Sequence, residues 1–340
     1  MTDRQLTFAE NDIAHMVNGA YGKLRSGAFG EAAKLLERIL ELDVEYEGVG
    51  ATLKSVRYWA ERQQRLEEIE TSAERAGYLL DQWAAFRGFA ARIGDLPERC
   101  YQDIKHHIHA TAVANLLQTS AADTPAAAGT VYTRPSPQAR RLLLLGHSFK
   151  AMGDFANAVR YLEHARRLER DWAPLLAELA DCYSLIEESR AAKIFFREAF
   201  FLGAAEIPLE ELESPMIRRL VAAVKAAGIT RNVAEWVPVY GVLLGAFSVT
   251  RELTALEYGK LRQSIFELEQ RLGVATTPPR PPVPPPEPSD DQSALQARLI
   301  NRYFWLIAHF LATHEERAKV DEVLRRIKLL DIGVYQQYAG

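Results

Sequence analysis

The fold is decided by residues 139–206, which read ARRLLLLGHSFKAMGDFANAVRYLEHARRLERDW over 139–172 and APLLAELADCYSLIEESRAAKIFFREAFFLGAAE over 173–206. When these two stretches of 34 residues are placed one above the other, their apolar and small residues fall at matching positions. The shared apolar positions recur three and four residues apart, which is the spacing of one face of an α-helix. The stretch therefore predicts two successive helical hairpins with the same internal arrangement.

Small residues occupy the points of each stretch where two helices would touch. Gly146 and Ala158 hold these positions in the first stretch, and Ala180 and Ala192 hold them in the second. Small side chains allow two helix backbones to approach closely, while larger apolar residues fill the layer between them. A 34-residue period with this arrangement resembles the tetratricopeptide repeat (TPR) family. The resemblance implies an all-α fold in which TPR-like hairpins stack as an α-solenoid.

The resemblance also implies a binding surface, because the first helix of each TPR unit lines a concave face that holds a peptide or a helix. The corresponding residues in this chain are Arg140, Leu143, Leu144, His147, Lys150, Ala177, Glu178, Asp181 and Leu185. One TPR groove grips a C-terminal carboxylate with lysines and asparagines. Here the asparagines are missing and Glu178 and Asp181 replace them, which argues against binding of chaperone tails. The alternative is that this face meets only water or the chain's own tail.

Composition and charge limit the classes of function. The hydrophobic content of 48% and the charged content of 25% are ordinary for a folded protein. A net charge of −4 argues against a nucleic-acid partner, which would need a basic surface. The longest apolar run, residues 236–250, is too short to cross a bilayer, so it predicts a buried helix and no membrane insertion. The two cysteines, Cys100 and Cys182, have no metal-type spacing and fit a cytoplasmic protein.

The remainder of the chain is predicted to be helical, with diverged long helices before the repeat pair. From about Asp12 to Leu42 a diverged TPR-like unit places Gly27 at the position of Gly153, and three helices that follow it should stack on the flanking hairpins. The predicted segments are an N-terminal helical region at 1–118, a flexible loop at 119–138, the two TPR units at 139–206, a helical extension at 207–275, a Pro-rich linker at 276–292 and a C-terminal helical hairpin at 293–340.

Helix start signals support these boundaries. Thr71, Thr254 and Thr313 each stand three residues before a glutamate, which is the spacing of a capping box. Ser136 and Ser214 each precede a proline, so they predict an N-cap followed by a first-turn proline. Each of the five residues therefore predicts the start of a helix.

The C-terminal hairpin carries two apolar stripes, one on each of its helices. Two helices alone cannot cover that much apolar surface, so we expect the hairpin to dock on its own chain. The competing hypothesis is that it docks on a partner or on a second copy of the chain, which would make the protein a homo-oligomer through this hairpin.

The densest group of candidate metal ligands is Cys100, Asp103, His106, His107 and His109. One helix cannot direct all five side chains at one ion, so we expect a patch that is either solvated or packed against other helices, and no metal site. The chain has no nucleophile–base pattern and no phosphate-binding glycine loop, so neither catalytic residues nor a cofactor are predicted.

Two functions remain at this stage. The leading hypothesis is a non-enzymatic scaffold or adaptor that binds another protein or peptide on the concave face of its TPR repeats. The alternative is an enzyme or enzyme subunit with a site in the atypical 207–272 segment. A cleft with inward-facing polar residues drawn from Arg231, Glu235, Tyr240, Arg251 and Glu257 would favour the alternative.

Overall fold

The computed structural model describes residues 3–119, 135–247, 251–274 and 290–340. Within these ranges the chain forms fifteen α-helices, two short 3₁₀ turns and no β-strand, so the predicted all-α class is confirmed. Most of the predicted loop at 119–138 and of the Pro-rich linker at 276–292 lies outside the described residues.

The chain divides into two compact units, Met1–Glu169 and Arg170–Gly340. The boundary falls inside the predicted repeat pair, so each unit holds one of its two hairpins. The helices of unit 1 are α1 (Asp3–Ser26), α2 (Phe29–Leu42), α3 (Val49–Glu68), α4 (Ser72–Ile93), α5 (Glu98–Gln118), α6 (Pro137–Ala151) and α7 (Phe155–Leu168). The helices of unit 2 are α8 (Ala173–Leu185), α9 (Ser189–Gly203), α10 (Pro215–Ala226), α11 (Val233–Leu243), α12 (Ala255–Leu272), α13 (Asp290–Ala312), α14 (Arg317–Leu330) and α15 (Ile332–Ala339).

The same turn closes three hairpins, α1–α2, α6–α7 and α8–α9. In each turn one residue adopts a left-handed conformation: Gly27 (φ 79°), Gly153 (φ 82°) and Glu187 (φ 65°). The next residue donates its amide to the carbonyl five positions earlier, from Ala28 to Lys23, from Asp154 to Phe149 and from Glu188 to Tyr183, each at 2.9 Å. This is the C-terminal cap that glycine usually forms at the end of a helix. The left-handed residue turns the chain, so that the next amide can bond to a carbonyl that the helix leaves free. The turns at Gly153 and Glu187 are 34 residues apart, as the repeat predicts.

Close packing inside each hairpin occurs at the predicted small residues. A side-chain carbon at Gly146 would lie only 2.4 Å from Cγ of Leu162 and 3.3 Å from the carbonyl oxygen of Ala158, so α6 and α7 approach closely here. Ala180 of α8 and Ala192 of α9 are both buried in the core of unit 2. The prediction that these residues sit at helix contacts is therefore confirmed within each hairpin.

In unit 1, α3, α4 and α5 bring together a large aromatic core. Trp59 stacks on Trp83 with ring centroids 6.5 Å apart and an interplanar angle of 23°. Phe86 packs against both tryptophans. Helix α3 also packs on α2, while α5 packs on both α1 and α6. The three long helices therefore stack on the flanking hairpins, as expected.

In unit 2 the core forms around α11 and α13. The apolar run at 236–250 begins within α11, which is buried as predicted. Helix α13 packs against α11, α12 and α14, and its residues Leu299, Ile300 and Tyr303 are buried. The C-terminal hairpin therefore docks on its own chain, which confirms that prediction.

The sequence did not indicate α15, a helix of eight residues. At its start, the amide of Val334 donates to the carboxylate of Asp331 at 2.9 Å.

The predicted helix starts are correct in four of five cases. The hydroxyls of Ser136, Thr71 and Thr254 accept backbone amides, and Thr254 forms a complete capping box. Ser214 precedes α10 as predicted, although its hydroxyl pairs with another serine hydroxyl instead of capping the helix. The capping box at Thr313 is wrong. The Thr313 hydroxyl instead donates to the carbonyl of His309 at 2.9 Å, and α14 begins only at Arg317.

Candidate functional site

Helix α6 supplies five of the nine residues predicted to bind a partner. The hydroxyl of Ser136 accepts the amide of Ala139 at 3.3 Å, and Pro137 occupies the first turn, so the start of the helix is fixed. The helix carries Arg140, Arg141 and Lys150 and contains no carboxylate. All the charged side chains of α6 are therefore cationic.

The structure places these α6 residues at different depths. Arg140, Leu143, Leu144 and His147 are half-buried, whereas Lys150 is only 2% exposed. Leu144 packs against a small core made by α4, α5 and α6. The ring of His147 lies edge-on to that of His109, 5.6 Å away. Within unit 1, Arg140 and Leu143 thus keep part of their surface exposed, while Lys150 does not.

The predicted residues of α8 are mostly inside unit 2. Ala177 and Glu178 are buried, Asp181 is fully buried and Leu185 is half-buried. The two carboxylate oxygens of Asp181 accept the amides of Glu213 at 2.9 Å and Ser214 at 2.7 Å. Asp181 therefore fixes the chain just before α10. A partner-binding role for the nine residues stays a prediction.

The candidate metal ligands of α5 face different neighbours. Cys100 is buried, and burial raises the pKa of its thiol to about 12. Asp103 accepts a bond from Arg25 at 3.1 Å. His107 meets the turn between α1 and α2, because a side-chain carbon at Gly27 would fall 2.1 Å from its ring. No group of three metal-ligating side chains capable of holding an ion occurs among the residues that the structure describes.

The five polar residues that would favour an enzyme lie within or just before α11 and α12. Glu235 is 4% exposed and accepts two bonds from Arg298. Arg251 pairs with Glu257, which follows the N-cap of α12. Burial raises the pKa of Tyr240. Glu235, Arg251 and Glu257 are therefore engaged in ion pairs within unit 2.

Unit 2 contains a cleft of about 170 Å³ that sequence reasoning missed. It lies between α12, α13 and α14 and is lined by Tyr258, Arg262, Ile265, Tyr303, Leu306, Phe310, Lys319, Glu322, Val323 and Arg326. Behind it, the hydroxyl of Tyr303 donates to Glu269 at 2.6 Å, and Arg326 donates to the same carboxylate at 2.8 Å. Burial raises the pKa of Tyr303, so this hydroxyl remains a donor. The sequence indicated the apolar stripes of the hairpin, but it did not indicate that the hairpin packs against α12.

Comparison with known proteins found no matching family model, no matching curated protein and no matching solved structure. None of the helices in the described parts of the chain combines the length and the apolar character needed to cross a bilayer.

Proposed function

We propose that this chain is a non-enzymatic adaptor of the TPR-like helical-repeat type that binds another protein or peptide. The observation that carries the proposal is the recurrence of one turn in the α1–α2, α6–α7 and α8–α9 hairpins, with the same hydrogen bond and a left-handed residue at the same position. Small residues mark the helix contacts of α6–α7 and α8–α9 at a spacing of 34 residues. Repeated hairpins bury one face against their neighbours and leave other helix faces for a partner.

The α6 face is the part of the predicted groove that can reach a partner. Arg140, Leu143 and His147 lie on one side of α6, three to seven residues apart, and all three are half-buried. A positively charged side chain beside partly exposed leucine suits a peptide that carries both an acidic and an apolar residue. The α8 side chains support the fold of unit 2, so this proposal rests on α6.

Affinity capture with quantitative mass spectrometry tests the proposal. Wild-type protein would be compared with Leu143→Asp, which puts a charge on the α6 face, and with Arg160→Glu, a matched control on the exposed side of α7. We expect at least one protein to be captured by wild type and by the control but lost with Leu143→Asp. Thermal melting of the wild type and both variants shows whether a loss of binding is due to unfolding. Equal capture by Leu143→Asp would contradict an α6 binding face.

The alternative, an enzyme or enzyme subunit with a site in 207–272, is not proposed. Glu235, Arg251 and Glu257 are engaged in ion pairs, and none of the five polar residues that would favour an enzyme lines the cleft between α12, α13 and α14.

A further inference from the structure

A histidine of α13 holds the segment that leads into α12. The backbone amide of Leu253 donates to Nδ1 of His309 at 3.1 Å, and the side chain of Leu253 is buried in the core of unit 2. Residues 251–254 lie outside any helix. A buried amide outside a helix needs an acceptor from another part of the fold, and the imidazole supplies it here.

This hydrogen bond requires a neutral imidazole. A ring nitrogen accepts a hydrogen bond only through its lone pair, so Nδ1 carries no proton and the proton of the neutral ring is on Nε2. When the ring takes up a second proton, both nitrogens become donors. The amide of Leu253 then faces a donor, and a buried amide without an acceptor is unfavourable. Protonation of His309 and this hydrogen bond therefore exclude each other.

On the side of α12, the groups around His309 do not replace the bond. The ring of Tyr258 lies 5.0 Å from the imidazole at an angle of 43° and offers it no carboxylate. Arg251 and Glu257 pair with each other. Glu252 is exposed to solvent, where an ion pair contributes little.

The other helices that pack on α13 are α11 and α14. Ionisable side chains of these helices face other residues: Glu235 of α11 pairs with Arg298, Tyr240 of α11 lies near Asp331, and Lys319 of α14 bonds to Glu315 at 2.7 Å. Arg298 itself lies about three turns before His309 on α13. These carboxylates already have partners, so an ion pair does not compensate for the bond that protonation removes.

We propose that the hydrogen bond between Leu253 and His309 is a pH-sensitive connection between α13 and the start of α12. Histidine is the side chain whose charge ordinarily changes between about pH 5 and 8. At the upper end of this range the neutral imidazole holds residues 251–254 on α13. As the pH falls, the imidazole is protonated, the bond is lost and the amide of Leu253 opens to solvent far more often. The inference concerns unit 2 alone and does not depend on the proposed role of α6.

Hydrogen exchange of the Leu253 amide in the full-length chain tests the proposal, with mass spectrometry and fragmentation to single residues as the readout. After correction for the intrinsic effect of pH on exchange, the protection of this amide should fall by at least about tenfold between about pH 7.5 and about pH 5.5. Amides inside α13 should keep their protection in the same sample, which separates local opening from unfolding of unit 2.

Two variants of His309 assign the effect to this side chain. His309→Asn places an oxygen as many bonds from the backbone as Nδ1, and this oxygen accepts a hydrogen bond without titrating. The amide of Leu253 should therefore stay protected at both pH values. His309→Ala removes the acceptor, so the amide should exchange readily at both pH values.

His314→Asn is the matched control. It removes an exposed histidine from the same hairpin, and asparagine tolerates the left-handed conformation of this residue (φ 54°). This variant should keep the loss of protection at low pH. Equal protection of wild type at both pH values overturns the proposal. A pH-dependent loss that persists in the two His309 variants, or that disappears in His314→Asn, also overturns it.

Discussion

The close approach of α6 and α7 at Gly146 makes a quantitative prediction for Gly146→Ala. The added carbon would lie 2.4 Å from Cγ of Leu162, which is fully buried, and 3.3 Å from the backbone oxygen of Ala158. Because one obstacle is backbone and the other has no free space to turn into, overpacking should cost about 1–3 kcal/mol. Alanine in a helix interior recovers about 0.5–1 kcal/mol relative to glycine. The free energy of unfolding should therefore fall by up to about 2.5 kcal/mol.

Gly88→Ala is the control, because a side-chain carbon at Gly88 in α4 would meet nothing within 4 Å. This variant should gain about 0.5–1 kcal/mol, so the two alanine variants should differ by the overpacking cost alone, about 1–3 kcal/mol. Urea unfolding measures the difference. Hydrogen exchange of amides in residues 137–168 should locate the loss in the α6–α7 hairpin. If Gly146→Ala gains as much stability as Gly88→Ala, α6 and α7 are not in the contact described above and the reasoning fails.

Three further changes follow from the structure. Glu187→Gly relieves a left-handed glutamate and should raise the stability of unit 2 by up to about 1 kcal/mol, which urea unfolding would detect. Burial lowers the pKa of both His106 and His107, so the unfolded chain binds more protons. The stability of unit 1 should consequently be complete above pH 6.5, the ordinary histidine value, and decrease as the pH falls below it; a stability unchanged at pH 5.5 would contradict this. Deleting residues 277–340 removes α13 and α14 from the core of unit 2, so the shortened chain should melt earlier and aggregate; an equally stable monomer would refute this.

The hairpins could be predicted because their signals are local and repeated. Gly146, Ala158, Ala180 and Ala192 occupy the same positions in two stretches, and small residues among larger apolar ones have few structural uses besides close helix contacts. Caps such as the one at Thr254 are also local, since they depend on residues three positions apart. The wrong cap at Thr313 shows the limit, because its hydroxyl had a competing acceptor in the preceding turn.

The parts that could not be predicted depend on contacts between distant residues. Asp181 appeared to face a groove, yet its carboxylate bonds to amides more than thirty residues away. The cleft in unit 2 forms only because α12 and α14 pack against α13. The spacing of apolar residues within one helix does not indicate which other helices it contacts. The sequence therefore indicated which face of a helix is apolar, but not which polar residue on that face becomes buried.

The stacked pair of Trp59 and Trp83 gives unit 1 an optical property of its own. Two indole rings 6.5 Å apart at an angle of 23° have coupled electronic transitions. The coupling splits the circular-dichroism band into one positive and one negative lobe. No other two tryptophans in the described parts of the chain are in ring contact, and Trp305 of unit 2 packs against Phe201 instead. The split band thus marks the native core of unit 1, and its disappearance separates the loss of that core from events in unit 2 without any label.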